Sequence, residues 1–124
     1  MINGAHFLLY SKGPEADRAF LRDVLQFRSV DAGGGWLIFR LPPAEVAVHP
    51  SEGSAPPNAE DGVVGAALYL MCDDLRSTMK EMQSKQVKFT PVEEAQWGTV
   101  TTFPLPSGAS IGLYQPKHPT ALEL

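Results

Sequence analysis

Two short apolar runs along the chain are each followed by a segment with helical periodicity. The runs occupy residues 5–10 and 66–71 and are rich in aromatic and aliphatic side chains that favour strands. In the segment after each run, apolar side chains recur every three or four positions, which predicts an amphipathic helix. Pro14 stands where a helix can begin, and Asp73 or Asp74 can cap the second helix. The positions that form the helical stripes are Ala16, Phe20, Leu21, Val24 and Leu25 in the first segment and Leu75, Met79 and Met82 in the second.

Three further strand candidates follow each predicted helix. They cover residues 27–30, 35–41 and 45–49 in the first half, and 87–92, 97–103 and 109–114 in the second. His6 aligns with Ala67 and Ala47 aligns with Gly112, and the offset between the halves grows slowly along the chain. Such a drift is expected of a duplication with small loop insertions. The pattern therefore predicts two copies of a strand-helix-strand-strand-strand (βαβββ) module.

Between the halves lies a segment rich in proline, glycine, serine and acidic residues. It covers residues 51–62 and has no apolar period, so it is predicted to be a linker. Neither half is long enough to be expected to form a stable domain by itself. The expected organisation is a single domain over 1–124, with a first module at about 1–50, a second module at about 63–116 and a tail at 117–124.

Composition and charge exclude several classes of protein. The 124 residues include 10 Lys and Arg against 14 Asp and Glu, without a basic run, so nucleic acid is not expected as a partner. The longest apolar stretch, 63–72, is too short to span a bilayer, and the first residues lack the pattern of a signal peptide. No membrane partner is therefore expected. The single cysteine, Cys72, excludes a disulfide framework and suits a reducing, cytoplasmic environment.

The order of elements and the repeat resemble a known superfamily. His6 followed by Phe20 is similar to its first strand and first helix, and the segments 97–98, 103–108 and 111–115 are similar to its C-terminal signature. By these features the chain resembles the vicinal oxygen chelate superfamily, which includes glyoxalase I, bleomycin-resistance proteins and extradiol dioxygenases. The resemblance implies an α+β fold in which two βαβββ modules form one domain, with a curved mixed sheet around a cleft. It also implies a homodimer, for which exposed sheet edges supply a physical reason.

The resemblance further implies up to four ligands for a divalent metal ion, one from the first and last strand of each module. The matching positions are His6, Ala47, Ala67 and Gly112. Only the histidine carries a donor atom, so no metal cofactor is expected. The alternative is a rearranged site in which His6 binds the metal with His49 or Glu45, which lie two residues from Ala47 on the same strand face. That site would belong to a metal-dependent lyase or dioxygenase, and His6 acting as a base without a metal is a third hypothesis.

Small and aromatic residues at the expected cleft favour the binding of a small molecule. Tyr69 shares a strand face with Ala67 and Tyr114 shares one with Gly112, so aromatic rings would line a space left by small side chains. The alternative interpretation is ordinary packing of aromatic residues in a sheet. The leading hypothesis is a protein that sequesters an aromatic or cationic ligand, as bleomycin-resistance proteins do, and does not transform it. The residues expected to bind this ligand are His6, Trp36, Ala47, His49, Ala67, Tyr69, Trp97, Gly112 and Tyr114.

Other polar residues are given smaller roles. Cys72 falls on the opposite strand face from Tyr69, where a buried structural thiol is expected. His118 lies in the proline-flanked tail and is expected to have no chemical role. The acidic residues of the linker, which would mildly favour cations, are Glu52, Glu60 and Asp61.

Overall fold

Two helices and two β-sheets form the part of the chain that the computed structural model describes, residues 1–50 and 65–124. The α+β class expected from the sequence is confirmed. The predicted linker, 51–62, lies outside the described residues, and so do its acidic residues.

Both helices form where the sequence predicts them. Helix α1, Pro14–Asp23, has proline at its first position and acidic residues in its first turn, where the helix dipole favours negative charge. Helix α2, Leu75–Gln83, is capped by Asp74, whose carboxylate accepts a hydrogen bond from the Ser77 N–H at 3.0 Å. Soon after each helix the chain turns through a glutamine with positive φ, Gln26 and Gln86.

The second half of the chain forms the complete βαβββ module that the repeat predicts. Its sheet has the order β3-β6-β5-β4, with β3 parallel to β6 and the other neighbours antiparallel. The strands are β3, Tyr69–Met71; β4, Glu93–Glu94; β5, Gly98–Pro104; and β6, Ser110–Pro116. The strand predicted at 87–92 is displaced: Thr90 keeps one backbone hydrogen bond to Thr102, Pro91 has no N–H to donate, and ladder pairing begins only at Glu93.

The first half forms only the centre of its predicted sheet. Strands β1, Ser29–Asp31, and β2, Leu37–Phe39, pair as an antiparallel hairpin whose turn contains three consecutive glycines with positive φ, Gly33 to Gly35. The predicted strands at 5–10 and 45–49 are not paired in any sheet of the described residues. A strand needs a neighbour for its backbone groups, and neither segment has one among residues 1–50 and 65–124. Among the described residues, the strands of the two modules therefore form two separate sheets.

The main core lies between the two helices and one face of the β3–β6 sheet. Helix α1 belongs to the first module but packs on the sheet of the second: Phe20 stacks on Phe103, with ring centroids 6.1 Å apart. Asp17 anchors the same helix, because its carboxylate accepts hydrogen bonds from the N–H and the hydroxyl of Ser107 at 3.0 and 2.7 Å. The opposite face of this sheet carries neither helix. The buried apolar core residues are Leu75, Met82, Val87, Phe103, Leu105, Ile111 and Leu113.

Candidate ligand-binding site

Four rings form one group on the helix-free face of the β3–β6 sheet, and we call them the aromatic cluster: Tyr69, Trp97, Tyr114 and His118. Tyr114 is at its centre. Its ring centroid lies 5.8 Å from that of Tyr69 and 5.9 Å from that of Trp97, both in edge-to-face geometry. The imidazole of His118 lies 6.1 Å from Tyr114 on a third side. Strand alternation explains the arrangement, because Ile111 and Leu113 face the core and place Tyr114 on the other face.

Two glycines make room for these rings. The Tyr69 ring lies directly over Gly112 of the neighbouring strand, and a Cβ at that position would overlap it. The Tyr114 ring lies beside Gly98, where an added Cβ would stand 3.2 Å from ring carbon Cδ2 and 2.7 Å from the Gln115 carbonyl oxygen. The space that the sequence suggests at Gly112 is thus filled by Tyr69. Free surface is found on the rings themselves.

The aromatic cluster leaves much apolar ring surface exposed. Tyr69 is 45% exposed and Trp97 is 48% exposed, whereas Tyr114 is half-buried between them. Burial raises the pKa of the Tyr114 hydroxyl, and the negative charge of Glu45 raises it further. Adjacent exposed rings around a polar group are a common composition for a surface that binds an aromatic molecule.

The C-terminal segment, residues 117–124, contributes His118, which was not predicted from the sequence to have a role at the site. The Nε2 atom of His118 lies 3.3 Å from the Tyr114 hydroxyl, and its Nδ1 atom lies 2.8 Å from the Pro119 carbonyl oxygen. The signal available in the sequence was the short spacing from Tyr114, with Pro116 and Pro119 restricting the chain on both sides. A sequence pattern does not show that the chain turns back toward the sheet after β6.

Solved structures of three bacterial proteins are similar to this one in fold. TnmS3, an antibiotic binding protein from Streptomyces sp. CB03234, is 22% identical, with a TM-score of 0.65 over 94% of this chain and 99% of that chain. A lactoylglutathione lyase from Agrobacterium tumefaciens is 17% identical, with a TM-score of 0.61 over 91% and 92%. A member of the glyoxalase/bleomycin resistance protein/dioxygenase superfamily from Sphaerobacter thermophilus is 23% identical, with a TM-score of 0.57 over 92% and 98%.

The chain has the glyoxalase/bleomycin resistance fold. The resemblance seen in the sequence is thereby confirmed at the level of the fold. No protein-family model matches the chain, and no curated protein matches it. Because one fold serves both binding proteins and enzymes, the side chains at the site have to distinguish between these functions.

The residues of this chain do not fit the metal site that its glyoxalase/bleomycin resistance fold implies. Of the four matching positions, only His6 could donate to a metal ion, and a single imidazole holds a divalent ion weakly. The rearranged site is not assembled either: Glu45 accepts a hydrogen bond from the Ala121 N–H at 2.8 Å, and His49 Nδ1 lies 2.7 Å from the Pro50 carbonyl oxygen. Within 1–50 and 65–124, no three His, Cys, Asp or Glu side chains are placed to hold a metal together.

The residues expected at the cleft divide into two sets. Tyr69, Trp97, Gly112 and Tyr114 come together as described, and Ala67 lies exposed just before β3. The first-module set does not join them: among the described residues, no hydrogen bond or ring-to-ring contact links that set to the aromatic cluster. Its members are His6, Trp36, Ala47 and His49, all exposed.

Trp36 has a partner of its own. It lies at the end of the hairpin turn, where the Arg18 guanidinium sits 4.8 Å from its ring centroid. The contact joins the hairpin to helix α1.

The helix side of the sheet has a shallow groove without the features of a ligand site. Its volume is about 220 Å³, below the usual range of ligand pockets, roughly 300–1,000 Å³. It lies beside Leu70 and Leu113, between the end of α1 and helix α2. On the same side, burial raises the pKa of the Cys72 thiol, which disfavours the reactive thiolate. The groove and the Cys72 thiol are therefore weaker candidates for a functional site than the aromatic cluster.

Neither described helix is both long enough and apolar enough to cross a membrane.

Proposed function

We propose that this protein binds a small organic molecule with a planar aromatic part and does not transform it. The observation that carries the proposal is the aromatic cluster, in which Tyr69 and Trp97 present exposed ring surface on either side of Tyr114. Aromatic surface of this kind stabilises a flat ligand by stacking and by burial of apolar area. The antibiotic-binding role of TnmS3, a protein of similar fold, supports the same class of function.

The metal-dependent alternative has less support. Three of the four positions that would hold the metal are alanine or glycine, and the rearranged set of His6, Glu45 and His49 is dispersed over unpaired segments. A lyase or dioxygenase of this fold would need convergent nitrogen and oxygen ligands with open positions for its substrate.

We also propose that the protein works as a homodimer whose second copy pairs with the first module. The segments 5–10 and 45–49 have strand-like sequences but no partner strand within the described residues. Their apolar side chains are exposed: Tyr10 by 78%, Val46 by 91% and Val48 by 97%. Unpaired strand edges with exposed apolar side chains favour pairing with another chain. Light scattering coupled to gel filtration should give twice the monomer mass, and a monomer at micromolar concentration would contradict this proposal.

The binding proposal is tested by a screen of planar aromatic compounds with two readouts. Thermal unfolding should shift upward by several degrees at saturating ligand, because a ligand at 100 times its Kd adds about 2.7 kcal/mol to stability. Intrinsic fluorescence gives a local readout, because the two tryptophans lie in different places. Trp97 is in the aromatic cluster and Trp36 is on the hairpin.

The matched variants are Trp36→Phe and Trp97→Phe. A ligand at the aromatic cluster should quench the fluorescence of Trp36→Phe, which keeps Trp97, and should quench Trp97→Phe much less. Equal quenching in both variants, or no thermal shift with any compound, would contradict the proposal. Near-stoichiometric metal in protein purified without chelator, measured by elemental mass spectrometry, would favour the metal-dependent alternative instead.

A further inference from the structure

The C-terminal segment is fastened along the edge of the aromatic cluster at both of its ends. At the start, the Lys117 N–H donates to the Trp97 carbonyl at 2.9 Å, and the Lys117 ammonium pairs with Glu94 at 2.8 Å. At the far end, the Ala121 N–H donates to the Glu45 carboxylate at 2.8 Å. His118 lies between these two anchors. Its position against Tyr114 is therefore held by contacts on either side.

The hydrogen bonds of His118 determine which atom carries the proton. The Pro119 carbonyl oxygen can only accept, so the Nδ1 atom that lies 2.8 Å away carries the hydrogen in the neutral ring. The Nε2 atom of that tautomer can only accept, and its partner at 3.3 Å is the Tyr114 hydroxyl. The Tyr114 hydroxyl therefore donates a hydrogen bond to His118 Nε2. The lone pairs of the Tyr114 oxygen remain available to accept a hydrogen bond from a ligand.

The negative charge near Tyr114 also favours a ligand with a hydrogen-bond donor at this position. Glu45 acts on the Tyr114 hydroxyl as a nearby negative charge. It is also half-buried, whereas all other residues of 41–50 are exposed. An acceptor oxygen next to a carboxylate attracts a hydrogen-bond donor, most strongly a donor that is positively charged.

We infer that His118 is a positioning residue that, together with Glu45, makes the site selective for aromatic ligands bearing a cationic or N–H donor group directed at the Tyr114 oxygen. The inference rests on the proposed function, and it adds the polarity of the ligand to it. The rings supply stacking for any flat molecule. His118 and Glu45 supply the discrimination between ligands with and without such a donor group.

A pair of probes with the same ring system tests this. Acridine is a flat three-ring molecule that has no hydrogen-bond donor when neutral, and 9-aminoacridine adds a cationic amino-substituted form of the same rings. At pH 8 we expect 9-aminoacridine to bind about tenfold more tightly than acridine, as measured by fluorescence titration. In His118→Phe and in Tyr114→Phe this ratio should fall to within about threefold, with the affinity for acridine nearly unchanged.

The ratio of the two affinities separates positioning from a structural role. A variant that merely loosened the site would weaken both probes together and leave the ratio as in the wild type, and that result would overturn the inference. Glu45→Gln should lower the ratio by weakening the binding of 9-aminoacridine alone. Glu123→Gln is the matched control, because it removes an exposed carboxylate that lies beyond the anchor at Ala121, and its ratio is expected to stay near the wild-type value. Equal binding of both probes to the wild type would refute the inference and leave the proposed function standing, whereas no binding of either would count against both.

Discussion

The ring of Tyr69 covers the backbone of Gly112 on the adjacent parallel strand, in direct register with it. A methyl group at position 112 would overlap the ring carbons, so the ring and the missing side chain depend on each other. The glycine is thus part of how the aromatic cluster is built. Substitution of Gly112 should therefore displace the Tyr69 ring and alter the aromatic cluster.

Gly112→Ala should displace Tyr69 and destabilise the protein by about 1–3 kcal/mol, the usual effect of overpacking a close contact. The same change should weaken binding of the acridine probes. Chemical denaturation and fluorescence titration measure the two effects. Gly4→Ala is the matched control, because nothing lies within 4 Å of an added Cβ there. If Gly112→Ala had the same midpoint denaturant concentration as the wild type, the close contact between Tyr69 and position 112 would be contradicted.

Removal of the Asp17 carboxylate should detach helix α1 from the turn at Ser107. Asp17 is only 6% exposed, and its two hydrogen bonds from Ser107 join parts of the chain that are far apart in sequence. Asp17→Ala should lower the free energy of unfolding by about 2–3 kcal/mol, since it leaves the Ser107 donors without their charged acceptor. Asp23→Ala is the control, since that carboxylate is on the surface. Equal losses for the two variants would contradict a clamping role for Asp17.

The pH dependence of stability should carry the same signature. Burial by itself would raise the pKa of Asp17, but hydrogen bonds from Ser11 and Ser107 outweigh it and hold the pKa below the usual value of 3.8. A carboxyl whose pKa is lower in the folded state stabilises the protein above the unfolded pKa, and this contribution is lost as the pH falls through the folded pKa. The stability difference between wild type and Asp17→Asn should therefore shrink below about pH 4. A difference that stays constant from pH 7 to pH 3 would exclude this.

Capping of helix α2 gives a prediction with an adjacent control. Asp74 caps the helix through the Ser77 N–H, whereas Asp73, the preceding residue, is exposed and has no such bond among the described residues. Asp74→Ala should cost about 1 kcal/mol, and Asp73→Ala much less. Thermal unfolding of the two variants in parallel measures the difference. Equal melting temperatures would argue against the cap.

The thiol of Cys72 should react slowly in the folded protein. Burial raises its pKa, and the neighbouring charges of Asp73 and Asp74 act in the same direction. At pH 8 a smaller fraction is therefore thiolate than in the unfolded chain, so alkylation by iodoacetamide should be several-fold slower. The rate should rise to that of a free thiol in denaturant. Fast labelling of the native protein would contradict a structural thiol.

The second module could be predicted almost entirely from the sequence, because its elements are specified by local periodicity and its strands find partners within the same module. The alternation of residues also placed Tyr69 and Tyr114 on one face. Alternation does not give the register between strands, however, so it could not show that Tyr69 fills the space above Gly112. His118 was missed for a related reason, since its contact depends on the direction of the chain after the last strand.

The first module shows the opposite limit of sequence reasoning. The segments 5–10 and 45–49 have strand-like composition, yet neither pairs with another strand in the part of the chain that the structure describes. A pattern of side chains describes which surface a strand would present, but the backbone hydrogen bonds that make it a strand come from a neighbour. The identity of that neighbour is not encoded in the segment itself.

The packing of helix α1 on the second module determines the order in which the protein can mature on the ribosome. Asp17 and its partner Ser107 are 90 residues apart. At roughly 5–20 residues per second, the helix leaves the exit tunnel several seconds before strands β5 and β6 are made. During this interval Phe20 has no Phe103 to stack on. The apolar face of helix α1 is therefore accessible to chaperones and to other nascent chains. The last third of the protein therefore completes a core that the first quarter begins.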